Sequence, residues 1–416
     1  MHARKQLDIG FDDLLSGAMA CGRPLSATQL NEQIAQHWGD SDDTLTALSV
    51  RTAFDAWLTV LNLPRGCEVV KSGINIPDMG RILEHHDLKI VPVDLDVETL
   101  EISSTDLEAA ITPRTRLILV AYLFGARSSM DPVFEVAERY PHIQVAEDCA
   151  QAFTGTDDYR GDPRSDISLF SFGAIKTATA LGGALVRIKD AQQRAAVCSR
   201  LATYPRDGRF YFFRRTLKFL LLKILALRFC YAAFVKSYAW MGLNFDEVIV
   251  HAVRGFSGPN LIPQLHRQPA LPLLALMNRR LSRHTRSQLD HRCHNGNLLN
   301  QALPAPLRSA GYRNPHHTWW LFPVTTPKPD GLVQAMQRGG FDATATSTQL
   351  TALAGKHGPA PQCARFMKQT VYLPLQPSMS EATIKRMAAV VQAHYQGTSM
   401  TVSRKEVDLI PVPTGK

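Results

Sequence analysis

Acidic residues are missing from one long stretch of this 416-residue chain. Between Gly208 and Phe245 stand seven basic side chains (Arg209, Arg214, Arg215, Lys218, Lys223, Arg228, Lys236) and no aspartate or glutamate. Without that stretch the formal net charge of +9 would be close to neutral, so the basicity is local. It does not describe a molecule basic all over, and no nucleic-acid partner is expected. Cysteine is sparse and scattered: Cys21, Cys67, Cys149, Cys198, Cys230, Cys293 and Cys363 are odd in number and contain no C-x-x-C. A disulfide framework and a zinc site are thereby disfavoured, and a reducing compartment is expected. No G-x-G-x-x-G joins a strand to a helix, which removes the dinucleotide fingerprint. No run of about 20 uncharged apolar residues exists to span a bilayer. The opening MHARKQLDIGFDDLL has no continuous apolar core of the secretory kind, so a cytoplasmic location is expected. Internal repeats and low-complexity tracts are also missing.

Composition is that of a globular protein, 45% apolar and 20% charged. From about residue 45 helical and strand-like stretches alternate. TALSVRTAFDAWLTVLNL has helical spacing, EVVKSGI reads as a strand and MGRILEHHDL as a helix. KIVPVDLD, TRLILVAYLFG and IQVAED read as strands, the last two nearly continuous in apolar character. DPVFEVAERY reads as a helix with Asp131 as N-cap and Pro132 in its first turn. Such alternation predicts an α/β fold: a large domain with a mostly parallel sheet flanked by helices, and a smaller α+β C-terminal domain. The expected divisions are an N-terminal segment 1–44, a large domain 45–258 interrupted by a basic apolar insertion at 208–245, a small domain 259–400 and a tail 401–416. A long helical pattern runs from Leu271 to Leu303.

In open α/β sheets, ligands collect at the carboxyl ends of strands. Asp148 stands at such an end. Downstream, ISLFSF and GGALVRI flank a polar loop holding Lys176. A lysine alone in a loop is ordinarily a solvated charge; here a carboxylate, a glutamine (Gln151) and a Gly-Gly pair stand in ordered register with it. The histidine pairs His85-His86 and His316-His317, and the His291, Cys293, His294 group, have no carboxylate or second cysteine at ligand spacing, so no metal is expected.

EDCAQAFTG (147–155), SDISLFSFGAIKTATALGGALV (165–186), DLEAAITPRTRLILVAYLFG (106–125) and Gly242-Leu243-Asn244 together resemble the DegT/DnrJ/EryC1/StrS family of aminotransferases, within the aspartate-aminotransferase fold group. The resemblance implies pyridoxal 5'-phosphate (PLP) as cofactor and Lys176 as its Schiff-base lysine. It further implies Asp148 on the pyridinium nitrogen, Gln151 near the ring and its phenolic oxygen, and Ser171 on the phosphate. Asn244 would reach the phosphate of the neighbouring subunit in a homodimer with shared sites. Two positions depart from the family pattern. Ser49-Val50-Arg51-Thr52-Ala53-Phe54 replaces S-G-T-A-A-L at the phosphate-binding helix. There a helix N-terminus still favours a dianion and Arg51 adds a cation, so Arg51 and Thr52 join the expected cofactor contacts. At the ring-stacking position Asn75-Ile76 replaces an aromatic pair.

The implied activity moves an amino group from an amino acid, glutamate or glutamine by resemblance, to the ketone or aldehyde of a keto-sugar or of a lipid-linked or acyl compound. PLP-dependent dehydration is the alternative reaction, but dehydrating relatives carry histidine in place of the lysine. A non-catalytic regulator or a membrane-associated scaffold on the same fold is the remaining alternative. Segment 209–240 supports two readings. On a helical wheel Arg214, Arg215, Lys218, Arg228 and Lys236 share an arc of roughly 140°, as an interfacial helix on an anionic membrane would. A helical excursion packed on the protein fits equally well.

Overall fold

Strands buried on both faces need near-continuous apolar runs, and the two richest runs form the middle of the sheet. In the computed structural model β5 (Thr115–Ala121) pairs in parallel with β6 (Gln144–Asp148). The structure describes residues 7–38, 43–156, 158–225, 260–345, 350–356 and 358–407, together with residues 2, 256 and 258. Around the central pair stand β1 (Thr44–Ala47), β2 (Glu68–Ser72), β4 (Lys89–Val93), β7 (Ile167–Ser171) and β8 (Ala184–Ile188). The seven strands run in the order β1-β8-β7-β6-β5-β2-β4, and β8 alone runs against the rest. The expected α/β fold with a mostly parallel sheet is borne out.

One face of the sheet is covered by α3 (Val50–Leu61), α4 (Pro77–His85) and α7 (Ala191–Ala202), whose Phe54, Trp57, Ile82 and Val197 join Val69, Leu119 and Leu169 in one core. The other face carries α1 (Phe11–Ala20), α2 (Ala27–His37), α5 (Ser104–Ala110) and α6 (Asp131–Ala137), with α8 (Arg209–Leu225) beside α1. The short α9 (Leu261–Leu265) follows, then α10 (Leu271–Ser282) and α11 (Ser287–Ala302). A third core forms under α11, α12 (Pro329–Arg338) and α14 (Glu381–Val407), against the antiparallel pair β9 (Phe322–Thr325) and β13 (Thr370–Leu373). The remaining pieces are α13 (Pro361–Gln369), the β3 (Ile74–Asn75) to β10 (Thr351–Ala352) pair, and a hairpin of β11 (Ala354–Gly355) and β12 (Gly358–Pro359).

Three local expectations change. The helical pattern from residue 45 begins with β1, which pairs along its length with β8 and buries alternate residues, and the helix starts only after Ser49 caps it through the Thr52 amide. Asp131 is the first helical residue and Met130 the cap. The pattern from Leu271 to Leu303 is two helices. Between them His284 lies 3.4 Å from the Thr154 carbonyl and edge-on to Phe153, a tertiary contact that periodicity cannot reveal. Among the described residues no helix is long and apolar enough to cross a membrane.

Candidate active site

Parallel strands deliver their carboxyl ends to one edge of the sheet, and the site residues gather there. Asp148 ends β6, and its two carboxylate oxygens are separately held. Oδ2 accepts from the Asn75 amide at 3.2 Å and Oδ1 from the Ala150 N–H at 3.2 Å. The carboxylate is 6% exposed, so its orientation is fixed by those donors rather than by water. Gln151 is also anchored: its side-chain oxygen accepts from the Phe124 N–H at 2.8 Å. That leaves the amide NH2 without a partner among the described residues.

Lys176 sits in the loop between β7 and β8. The loop is tied down on both sides. The Ala180 and Gly182 amides both donate to the Phe172 carbonyl, Thr179 Oγ1 does likewise, and the Ala178 amide donates to Asp8 Oδ2 at 2.7 Å. Ala178 and Leu181 hold left-handed φ values of 53° and 66°, a conformation that side-chain-bearing residues adopt only when surrounding bonds enforce it. Gly183, at φ 89°, is a glycine for a steric reason as well: a Cβ there would meet Met277 Sδ at 2.8 Å. The Lys176 ammonium lies 4.3 Å from the centre of the Trp320 ring. Burial lowers its pKa to about 8, against the pull of the Asp148 charge, and Arg51 nearby lowers it further. The lysine and the carboxylate therefore share one electrostatic environment.

The helix α3 points its N-terminus at the same edge. Ser49 and Ser171 line one cavity of about 410 Å³ with Gly173, Arg215 and Phe256. Thr52 is wholly buried; its amide donates to Ser49 Oγ and its hydroxyl lies 3.0 Å from the same oxygen, so its polar atoms serve the cap. Arg51 pairs with Asp78 and lies 4.3 Å from the centre of the Phe256 ring. Asp55 pairs with His86 and His266. Ile76 is the half-buried cap of α4, beside Asn75. Asn244 lies outside the described residues.

Sequence reasoning passed over three features. Asn75 stood only as a missing aromatic, whereas it is a donor to Asp148. Lys71 on β2 is fully buried, and burial lowers its pKa to about 7 although Asp148 and Cys363 oppose the shift. A second cavity of about 690 Å³ opens beside Lys176, bordered by Trp320, Arg292, Arg280, His284 and Gln376. Arg292 donates to the Thr318 carbonyl and to Thr177 Oγ1, and burial lowers its pKa. No pattern in the sequence distinguished these cations from surface ones.

This constellation of a restrained lysine, a fixed carboxylate and a hollow at a helix start defines a class. The DegT/DnrJ/EryC1/StrS aminotransferase family matches residues 16–216. Over that region the chain is similar to this family, as the motifs led us to expect. It is 31% identical over 188 residues to a UDP-4-amino-4-deoxy-L-arabinose–oxoglutarate aminotransferase of Shewanella sediminis, covering 45% of this chain and 47% of that protein. It is 32% identical over 142 residues to a GDP-perosamine synthase of Caulobacter vibrioides, covering 33% and 38%. The chain thus spans about half, or less, of the length of the curated relatives it matches. In fold it is similar to the aminotransferase TlmJ of Streptoalloteichus hindustanus, at 16% identity and a TM-score of 0.66 over 96% of this chain and 100% of that one. A protein of Streptococcus pneumoniae solved in its PMP form gives a TM-score of 0.69 at 15% identity, over 95% and 98%.

Proposed function

We propose that this chain is a PLP-dependent aminotransferase acting on keto-sugars, with an amino acid of the glutamate or glutamine kind as donor. The observation that carries the reading is the convergence of Lys176 and Asp148 at one sheet edge, close enough for the carboxylate to act on the lysine's charge. The residues present fit the cofactor. Ser49, Ser171 and the start of α3 line a hollow suited to its phosphate, with the helix dipole favouring a dianion. Asp148 suits the ring nitrogen, and the Gln151 NH2 suits an oxygen on the ring. Thr52 drops out as a side-chain contact and keeps only its place in the helix start. Arg51 contributes its charge while paired to Asp78.

Bound PLP supplies an aldehyde and an electron-withdrawing ring; the chain does the rest. Asp148, oriented by Asn75 and Ala150, holds the proton on the ring nitrogen. Lys176, with its pKa lowered to about 8, is in part neutral near pH 7 to 8. That neutral amine would be able to condense with the cofactor's aldehyde, with loss of water, and, once displaced by the donor's amine, would be placed to take the α-carbon proton. Trp320 and the Phe172-anchored loop keep that amine in place. The larger cavity beside Lys176, lined by Arg280, Arg292 and His284, suits an acceptor carrying negative charge, as nucleotide-linked sugars do. A lipid-linked carbonyl acceptor is a second reading, favoured by the exposed apolar face of α8. The partner's site would be completed by Asn244 in a homodimer.

Borohydride treatment of protein loaded with PLP, followed by peptide mass analysis, tests the assignment. The pyridoxyl mass is expected on Lys176, and Lys176→Ala should lose both the mass and turnover. A pyridoxyl group found on Lys71 instead would overturn the choice of lysine.

A further inference from the structure

Ten of the eleven large apolar side chains exposed among the described residues lie on just two helices. Phe11, Leu15 and Met19 follow helical spacing along α1; Phe210, Tyr211, Phe213, Leu217, Leu221, Ile224 and Leu225 run along α8. The helices are antiparallel neighbours. Arg209 at the start of α8 donates to the Cys21 carbonyl past the end of α1, and Lys223 near the other end lies 5.3 Å from the Phe11 ring centre. Gly17 faces the Phe212 ring, a Cβ there lying 3.8 Å from it, so the contact is close. Phe212, Thr216 and Phe219 are the inward residues of α8 and are at most 2% exposed, whereas Phe210 is 71%, Leu221 55% and Leu15 62% exposed. The result is one continuous apolar face made by two elements far apart in sequence. Patches of this kind on soluble domains mark interaction sites.

Charge decides what covers it. Arg214 and Lys218 are exposed within the same face and make no ion pair with a described residue, and α8 contains no acid. Arg215 is turned inward, donating to the Leu181 carbonyl, so it leaves the arc that helical periodicity alone gave it. A second copy seated across a two-fold would bring two cationic, acid-free α8 helices into one interface. The one exposed acid on α1, Asp12, is already paired with Arg279 at 2.7 Å. An anionic lipid surface answers both features, accepting the apolar side chains among its acyl chains and the cations among its headgroups.

We propose that α1 and α8 together form a docking face for an anionic bilayer surface, holding the protein peripherally. The proposal does not depend on the aminotransferase reading, and its test uses no turnover. Full-length protein is sedimented with phosphatidylcholine vesicles and with vesicles containing phosphatidylglycerol, at low and physiological salt. Wild type should pellet with the anionic vesicles at low salt and be released as salt rises. Each cation at such a surface changes partitioning about fivefold. Arg214→Gln with Lys218→Gln should therefore weaken binding by roughly 25-fold. Phe11→Ser, Leu15→Gln and Met19→Gln, all at exposed positions, should abolish pelleting while far-UV CD and melting temperature stay at wild type. That second result separates a two-helix face from α8 acting alone. Wild type remaining in the supernatant of anionic vesicles at low salt overturns the proposal. So does self-association, seen by sedimentation velocity, that the same α1 substitutions remove, because the face is then a protein interface.

Discussion

Lys71 is harder to explain than Lys176. A lysine with no exposed surface, bonded among the described residues only to the Ser72 carbonyl at 3.4 Å, has there few of the partners that normally offset burial. Its pKa near 7 lies below the 10.5 of a free lysine, so the folded chain binds fewer protons than the unfolded chain between those values. Stability of the cofactor-free protein should accordingly rise with pH from about 7 to 10.5 and fall as pH drops through 7. Lys71→Met, which keeps the volume and removes the charge, should flatten that slope in denaturant titrations across pH. A slope unchanged by the substitution would locate the effect elsewhere. At Asp148 the expectation concerns chemistry. Asp148→Asn should keep much of the cofactor yet lower kcat by roughly 10²–10³-fold, since a neutral amide cannot hold the ring proton. Asn75→Ala should cost about tenfold, the scale of one hydrogen bond to a charged group. An Asn75→Ala variant with wild-type kcat would make that bond incidental to catalysis.

Among the elements, α3 carries the most. It presents Ser49 and Arg51 at its start and Asp55 one turn later, where the carboxylate is 1% exposed and bonded to His86 at 3.0 Å and His266 at 2.9 Å. Burial alone would raise the Asp55 pKa, but the two histidines outweigh it and hold it below the ordinary carboxylate value. The stability this gives is present above the unfolded-state pKa and is lost as pH falls through the lower folded one. Asp55→Ala should destabilise the fold by about 3–5 kcal/mol, as removal of one partner from a buried pair does, measurable by urea unfolding near neutral pH. Much of this scale was legible in advance. Apolar continuity gave β5 and β6, and the order of Asp148, Gln151, Ser171 and Lys176 gave the candidate residues that the proposed site is built from. The Asn75 contact, the twin histidines and Arg292 were not legible, because each joins segments that only the tertiary fold brings together. Helical periodicity also placed Arg214, Arg215 and Lys218 on one arc without showing that Arg215 would find the Leu181 carbonyl.

On the scale of the whole molecule, two cavities meet the reactive loop from different sides, one lined by Ser49 and Ser171 and one by Arg280 and Arg292. If a neighbouring subunit completes the first through Asn244, inactive Lys176→Ala and Asn244→Asp chains should complement each other when mixed. Partial recovery of turnover in hybrid dimers is the expected result. No recovery, with subunit exchange verified by mass, would place every catalytic group in one chain. The α1–α8 face would then set how that assembly lies on a surface, and mutation of α1 should leave the recovery unaffected.

The bond from the Ala178 amide to Asp8 spans 170 positions of sequence, and Arg280 grips the same aspartate from 272 positions away. Asp8 is made well before either partner, so the first of these bonds can form only after residue 178 and the second only after residue 280 has been synthesised. The loop that holds Lys176 is thus fully tied down only once residue 280 has been made, after the last strand of the central sheet.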